Sequence, residues 1–127
     1  MAGHYRLTVV REFSASHQIE NYCGKCEELH GHNFGVEVVV QGENPDPSTG
    51  MLLDFKILKK TTDDVLDTLD HKHLNKLEIF KGISPSSEHI ARYVFGEIKA
   101  RLAAYDVVLQ EVTVSEKAGQ SATYYED

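Results

Sequence analysis

Two stretches of alternating apolar and polar residues predict the first two strands of the chain. Within residues 5–13 most of the apolar side chains share one face and most of the polar ones the other, and residues 33–40 repeat this pattern. A period of two is typical of a half-buried strand. The connection between the stretches is polar and contains several histidines, and so long a connection in a small domain is usually functional. Pairing of the two strands as a hairpin would bring the ends of this connection together.

Apolar residues at helical spacing predict two helices in the middle of the chain. The first runs over about residues 55–69, and Asp54 is well placed to cap it. The second follows Ser84, which is its predicted N-cap, and Pro85, which suits a first helical turn. Its apolar face extends to about Ala104 and consists of plain core residues: Ile90, Ala91, Val94, Phe95, Ile98 and Leu102.

Two more strands are predicted at residues 107–116 and 121–125, with a turn between them. On the first of these strands, Val108, Val112, Val114 and Glu116 are predicted to share a face. The element order ββααββ predicts one α+β domain over residues 1–127, in which two helices cover one face of a four-stranded antiparallel sheet. Because the edges of such a sheet must be hidden, we expect oligomerisation.

Composition and charge narrow the classes of partner. The 127 residues carry a formal net charge of −7 and are 41% hydrophobic. The negative charge argues against nucleic acid and against anionic membrane surfaces. No apolar run is long enough for a membrane span, and the first residues do not resemble a secretory signal, so we expect a cytoplasmic protein. A small phosphorylated substrate is still compatible, because a local group of Lys and Arg can hold it.

Three histidines are the candidate metal ligands. His30 and His32 begin the second strand and point to the same face, roughly 6–7 Å apart along the backbone. His17 follows the first strand, and a hairpin would bring it beside them. A catalytic zinc site has three protein ligands and one open position. The alternative is that these histidines make ordinary structural hydrogen bonds.

The chain has two cysteines, Cys23 and Cys26, spaced C-x-x-C. A zinc ribbon would need a second pair, and a thioredoxin-like motif would lie between a strand and a helix. Cys26 precedes His30 by four positions, so its thiol can lie beside the metal, where a neighbouring dication lowers the pKa of a thiol. The alternative is that Cys26 is itself a zinc ligand.

Three further residues are candidates for chemistry. Asp70 and His71 pair a carboxylate with an imidazole, which can orient a base or move protons, although such pairs are also common on surfaces. Glu116 ends an apolar strand face, so it lies either at a solvated edge or in a pocket. In a pocket it can accept two hydrogen bonds from a guanidine-like edge of a heterocycle. The residues alone therefore indicate a metal-dependent enzyme of unknown reaction.

Six segments occur in a specific order: Phe13-Ser-Ala-Ser-His17, Cys26-x3-His30-Gly-His32-Asn33, Gly50-Met-Leu-Leu-Asp54-Phe55, Leu69-Asp70-His71-x2-Leu74-Asn75, Pro85-Ser86-Ser87-Glu88, and Glu116 before a terminal Tyr. With them the chain resembles the 6-pyruvoyl-tetrahydropterin synthase / 6-carboxy-tetrahydropterin synthase family over almost its whole length. The resemblance implies the tunnelling fold (T-fold), in which three ββααββ protomers close a twelve-stranded barrel. Two barrels stack as a homohexamer, a dimer of trimers, with active sites at subunit interfaces.

The resemblance also implies roles for individual residues. Zinc would be held by His17, His30 and His32. The catalytic residues would be the thiol of Cys26, the proton-transferring Asp70 and His71, and the pterin-anchoring Glu116. Further pterin contacts would come from Ser86, Ser87 and Glu88, whereas Cys23 has no functional counterpart in the family.

The implied reaction converts 7,8-dihydroneopterin triphosphate into 6-carboxy-5,6,7,8-tetrahydropterin, acetaldehyde and triphosphate, in the biosynthesis of queuosine, a 7-deazaguanine. The three-residue gap between Cys26 and His30 favours this branch over the 6-pyruvoyl-tetrahydropterin branch. Glu27 keeps open a folate-linked activity that releases 6-hydroxymethyl-dihydropterin, because such members place a glutamate at about this position. A non-enzymatic alternative is a pterin-binding module with a structural zinc ion.

Overall fold

The computed structural model describes residues 3–23 and 28–127. In chain order the elements are β1 (Tyr5–His17), β2 (His30–Gly42), α1 (Phe55–Leu66), β3 (Lys72–His73), α2 (Ser87–Arg101), β4 (Val108–Lys117) and β5 (Gln120–Tyr125). Two single-turn 3₁₀ helices, Leu74–Lys76 and Glu78–Phe80, lie between β3 and α2.

The predicted hairpin of β1 and β2 is confirmed. The strands pair antiparallel, with Phe13 opposite Phe34 and His17 opposite His30. The two phenylalanine rings stack with their centroids 4.9 Å apart, which fixes the register beside the histidines. Both strands extend beyond the predicted limits, because the residues around the histidines continue the backbone ladder. The end of the hairpin that carries the histidines, next to the connection between the strands, is therefore a platform of regular strand structure.

The sheet has the strand order β3-β1-β2-β4-β5. The four long strands pair antiparallel, as the α+β prediction requires, and that fold class is confirmed. The sheet also contains β3, which pairs parallel to β1 through only two residues, opposite Ala15 and Ser16. Two polar residues carry no periodic signal, so the sequence did not predict this strand.

Helix α1 begins where it was predicted and ends earlier. The Asp54 side chain accepts a hydrogen bond from the Lys56 amide at 2.8 Å, so Asp54 is the N-cap. The helix ends at Leu66, three residues before the predicted end. Leu69 is fully buried all the same, in the turn that follows. On the sheet side, Arg11 of β1 binds both carboxylate oxygens of Asp63, each at 2.8 Å, and ties α1 to the sheet.

Helix α2 has a different cap from the predicted one. Ser86 is the N-cap, because its Oγ accepts a hydrogen bond from the His89 amide. The predicted cap, Ser84, is used elsewhere: its Oγ accepts from the Glu20 amide, and its carbonyl is 2.6 Å from His89 Nδ1. The helix ends at Arg101, short of Ala104. The apolar face predicted for it is buried, as expected for a core helix.

One register error in the β4 prediction has a clear cause. Val108 is 67% exposed, although it was predicted to share the buried face, and Leu109 is buried instead. Opposite β2, Glu111 pairs with Val39 and Leu109 pairs with Val40, so one extra residue is accommodated in β4. Such a bulge shifts the alternation by one position. Beyond it the prediction holds, because Val112 and Val114 are fully buried.

The core lies between one face of the sheet and the two helices. Its largest fully buried side chains come from β2, α1, α2 and the segment between the helices: Phe34, Phe95, Leu58, Leu69, Leu74, Ile90 and Ile98. His17 belongs to the same buried face but is polar and fully buried. In the described part of the chain, neither helix has the length and apolar character needed to cross a membrane.

Candidate metal centre and the pockets beside it

Three imidazoles meet at the end of the β1–β2 hairpin where residues 18–29 connect the two strands. His17 ends β1 and lies directly opposite His30, which begins β2. His32 lies two positions further along β2 and therefore on the same face. The ring centroids are 4.6 Å apart for His17 and His30, 4.6 Å for His30 and His32, and 5.5 Å for His17 and His32. The structure thus brings the three predicted ligands together.

Backbone carbonyls orient two of these rings. His17 Nδ1 is 2.8 Å from the Pro85 carbonyl oxygen, and His30 Nδ1 is 2.9 Å from the Glu28 carbonyl oxygen. A carbonyl oxygen can only accept, so in each case Nδ1 carries the proton and donates it. With the proton on Nδ1, Nε2 is the atom through which each ring would bind a metal ion. Held in this way, histidines are prepared to bind a cation.

Glu116, on β4, completes a group of four possible ligands. Its carboxylate lies 3.2 Å from His32 Nε2 and 3.5 Å from His17 Nε2. One ligand atom from each of His17, His30, His32 and Glu116 lies within 4.8 Å of the others. Nothing in the sequence pattern placed Glu116 within reach of a metal ion. Its predicted strand face was the only available signal, and that face is the one that carries the histidines.

The donor set fits a transition metal ion. His17 is fully buried, and its Nε2 makes no hydrogen bond within residues 3–23 and 28–127. A buried acceptor without a donor is costly, and a bound cation removes that cost. Three imidazoles, with or without a carboxylate, form a ligand set that suits zinc.

A pocket of about 300 Å³ lies on the Glu116 side of this group. All four residues that the resemblance assigned to the pterin line it: Ser86, Ser87, Glu88 and Glu116. The Ser87 hydroxyl donates to the Glu116 carboxylate at 3.3 Å. Residues of β5 and the segment after β1 close the pocket, among them Ala122 and Tyr22. The pocket therefore lies between the start of α2 and the end of β4.

A second pocket, of about 480 Å³, lies at the edge formed by β3 and β1. His71 lines it, and so does His32 of the metal group. His71 Nδ1 is 3.3 Å from Asp70 Oδ1, which also accepts a hydrogen bond from the Ser14 amide at 2.8 Å. The His71 side chain is 80% exposed. Among the described residues, Asp70 and His71 form a pair of their own, outside the group of four possible ligands.

The backbone of His71 has an unusual conformation. Its φ of 59° lies in the left-handed region, which costs a non-glycine residue about 1 kcal/mol or more. The His71 amide donates to the Ser14 carbonyl and so anchors the turn before β3. Strained residues of this kind are concentrated at functional sites. The conformation places the imidazole at the pocket and not in the core.

Cys26 and Glu27 lie outside the described residues. Cys23 is described: it is exposed and has a φ of 51°. It is not a member of the group of possible metal ligands found among the described residues.

Comparison with known proteins identifies the family. A family model described as 6-pyruvoyl tetrahydropterin synthase matches residues 6–127. The chain belongs to the 6-pyruvoyl tetrahydropterin synthase family. Members of this family act on pterins. The group of histidines and the pockets beside it therefore lie in a fold whose family members are pterin enzymes. The family resemblance seen in the sequence is confirmed.

Relatives that carry different enzyme names have similar sequence identities to this chain. A 6-carboxy-5,6,7,8-tetrahydropterin synthase from Synechocystis is 35% identical over 92% of each chain. A dihydroneopterin monophosphate aldolase from Pyrococcus furiosus is 37% identical over 87% of this chain and 89% of that protein. The solved structure of the Caenorhabditis elegans 6-pyruvoyl tetrahydropterin synthase is 32% identical, with a TM-score of 0.85 over 99% of this chain and 98% of that one. Overall similarity therefore does not select one reaction.

Proposed function

We propose that this protein is a zinc-dependent 6-carboxy-5,6,7,8-tetrahydropterin synthase that acts on 7,8-dihydroneopterin triphosphate in queuosine biosynthesis. The observation that carries the proposal is the convergence of His17, His30 and His32, with two rings held by backbone carbonyls through Nδ1. The Synechocystis relative supports the choice of product, as does the short gap between Cys26 and His30. The proposal includes a cytoplasmic location.

The metal ion would be held by the three histidines. When bound, zinc supplies a Lewis acid that makes the hydroxylated side chain of the pterin easier to deprotonate. Glu116 would bind the pterin ring, because a carboxylate can accept two parallel hydrogen bonds from the amino and ring N–H groups. Ser87 donates to the same carboxylate and would hold it in the orientation that the ring requires.

Proton transfer is assigned to Cys26 and to the Asp70–His71 pair. Asp70, itself held by the Ser14 amide, lies 3.3 Å from His71 Nδ1 and would orient the ring for proton transfer. The outward Nε2 of His71 is then the atom that exchanges protons with a substrate. Cys26 would act as the second proton-transferring group, on the opposite side of the substrate side chain.

One assay distinguishes the possible products. The zinc-loaded protein is incubated with 7,8-dihydroneopterin triphosphate, and the pterins and acetaldehyde are identified by mass spectrometry. We expect 6-carboxy-5,6,7,8-tetrahydropterin together with acetaldehyde. Formation of 6-pyruvoyl-tetrahydropterin would instead assign the activity named for the Caenorhabditis elegans relative. Formation of 6-hydroxymethyl-dihydropterin would assign the folate-linked alternative, to which Glu27 points.

A second candidate function is a pterin-binding module with a structural metal ion. The position of Glu116 favours it, because a fourth ligand from the chain would close the coordination sphere. The discriminating measurement is alkylation of Cys26 in the zinc-loaded protein, followed by peptide mass spectrometry, with Cys23 as the internal reference. A catalytic Cys26 reacts and turnover falls with it. A protein with bound zinc and no turnover before alkylation would favour the module.

A further inference from the structure

The backbone pairing between β3 and β1 stops just before the candidate metal ligand His17. Strand β3 pairs with β1 through two residues, and the second of these pairs is His73 with Ser16. After His73 the chain turns into the 3₁₀ helix Leu74–Lys76 and no longer runs beside β1 as a strand. The segment that begins at His17 therefore lies past the end of this short parallel ladder.

The side chain of Asn75 continues the ladder past its end. Asn75 Oδ1 accepts a hydrogen bond from the Gln18 amide at 2.8 Å, and Asn75 Nδ2 donates to the Gln18 carbonyl at 2.9 Å. A carboxamide offers both a donor and an acceptor, as a backbone peptide group does, so it can take the place of one more strand residue. Gln18 directly follows His17 in the chain. The backbone beside the candidate ligand is thus held by a side chain of the connection between β3 and α2.

Other groups of the same connection hold the His17 ring and the residues after it. His17 Nδ1 donates to the Pro85 carbonyl at 2.8 Å, and Ser84 Oγ accepts from the Glu20 amide at 3.1 Å. The ring is fully buried. Because the ring and the adjoining backbone are held separately, the position of His17 Nε2 depends on both kinds of contact. The Asn75 pair of hydrogen bonds is the contact that fixes the backbone next to the ligand.

We infer that Asn75 is a positioning residue of the metal centre, which raises the affinity for the ion by fixing the Gln18 backbone and, through it, His17. Asn75 acts through Gln18 and does not itself bind the ion. The inference rests on the metal-dependent site of the proposed function and adds to it a residue outside the ligands and both pockets. Groups that orient the ligands of a metal ion typically contribute roughly 10–100-fold to its affinity.

The test compares two substitutions of Asn75 with a control elsewhere in the fold. Asn75→Ala removes both hydrogen bonds to Gln18, whereas Asn75→Asp keeps an acceptor for the amide and loses the donor. Asp54→Ala is the control, because it removes a bond of the same kind, from a backbone amide to a side-chain oxygen at 2.8 Å, at the start of α1. Zinc affinity is measured by competition with a chromogenic chelator, and the ligand set by the visible spectrum of the Co²⁺-loaded protein. Urea unfolding of the metal-free proteins measures their stability.

We expect Asn75→Ala to bind one zinc ion per chain with a dissociation constant about tenfold higher than that of the wild type. Asn75→Asp should lie between the two, because it keeps one of the two hydrogen bonds. Asp54→Ala should bind zinc as tightly as the wild type, even though it loses stability. Because the three imidazoles are intact, the Co²⁺ bands of Asn75→Ala at saturation should keep their wild-type positions.

Two results overturn the inference. The first is a wild-type zinc affinity in Asn75→Ala, or in Asn75→Asp if the alanine variant does not fold. The second is an equal loss of affinity in Asp54→Ala, which would trace the effect to the stability of the whole chain. Zinc affinity does not depend on the pterin product. A selective loss of affinity in the Asn75 variants, with no 6-carboxy-tetrahydropterin formed by the zinc-loaded wild type, therefore overturns the proposed function and leaves the positioning role standing.

Discussion

At the scale of single residues, the site depends on which nitrogen of each histidine carries the proton. The carbonyls of Pro85 and Glu28 accept hydrogen bonds from Nδ1 of His17 and His30, so Nε2 is the atom through which each ring would bind a cation. These two carbonyls come from segments that are far apart in the chain, because Pro85 precedes α2 and Glu28 precedes β2. Substitutions that leave the histidines intact but move either carbonyl would therefore weaken metal binding.

Removing a ligand and removing the thiol should have separable effects. We predict that His30→Ala loses its zinc, because two imidazoles hold the ion much more weakly than three. Cys26→Ala should keep zinc and fold and lose turnover. Metal content by mass spectrometry of the elements, together with product formation, checks both. Full metal occupancy in His30→Ala would contradict the ligand assignment, and unchanged turnover in Cys26→Ala would remove the thiol from the mechanism.

Glu116 has two possible roles that one substitution separates. If it anchors the pterin, Glu116→Gln keeps zinc and binds substrate more weakly by about tenfold or more, since one acceptor of a charge-assisted pair is replaced by a donor. Ser87→Ala, which removes only the hydroxyl that steadies the carboxylate, should show a smaller effect of the same kind. Measurement of zinc affinity and KM decides. Loss of zinc from Glu116→Gln with its pterin affinity unchanged would instead make Glu116 the fourth ligand.

At the scale of elements, the platform for the site is a hairpin whose register is fixed by apolar packing. Phe13 stacks on Phe34 at the positions just before the histidines, and both rings are almost fully buried. The helices then hold the platform from one side: α2 supplies Ser87 and Glu88 beside Glu116, and α1 is tied to β1 through Asp63 and Arg11. The site is thus distributed over several elements that pack around one core.

The start of α1 offers a test of this architecture away from the site. We predict that Asp54→Ala lowers the free energy of unfolding by about 1 kcal/mol, because the Lys56 amide loses its cap. Asp54→Asn should cost much less, since asparagine caps nearly as well. Urea unfolding at a fixed protein concentration measures both. Equal losses for alanine and asparagine would show that the charge of Asp54, and not its capping hydrogen bond, matters.

Much of this element structure was predictable, and the exceptions have identifiable causes. The alternation in β1 and β2 is strong because one face of each strand packs against the core, so the hairpin and the convergence of the histidines followed from it. The bulge in β4 left no mark in the apolar pattern, and Val108 was therefore assigned to the wrong face. The cap of α2 is Ser86 and not the predicted Ser84, whose hydroxyl instead accepts a hydrogen bond from the distant Glu20 amide, a tertiary contact that the local pattern does not reveal. The approach of Glu116 to the histidines depends on the pairing of β2 with β4, which spacing along the chain does not reveal.

At the scale of the whole molecule, the sheet has two edges that no other strand within residues 3–23 and 28–127 covers. Strand β5 is at one end of the sheet, and β3 covers the outer side of β1 only at Ala15 and Ser16. Exposed edges of this length are a hazard unless they are paired. Pairing of β5 with β1 of another copy would remove both edges. This supports the proposed barrel of three chains and, with two barrels, a homohexamer.

The oligomer is directly measurable. We predict a mass of six chains by native mass spectrometry or by light scattering after size exclusion. Because the family resemblance implies active sites between subunits, specific activity should also fall on dilution below the concentration at which the oligomer dissociates. A monomer that retains full specific activity at all concentrations would contradict both the assembly and the interfacial site.

The most direct test of the account is X-ray absorption at the zinc edge of the zinc-loaded wild-type protein without substrate. The account predicts a first shell of nitrogen and oxygen atoms only, at about 2.0–2.1 Å, which corresponds to three imidazoles and one exchangeable light ligand. This shell should be unchanged in Cys26→Ala. A sulfur atom at about 2.3 Å in the wild type, absent from Cys26→Ala, would show that the thiol fills the fourth position and would contradict the proposed lyase site.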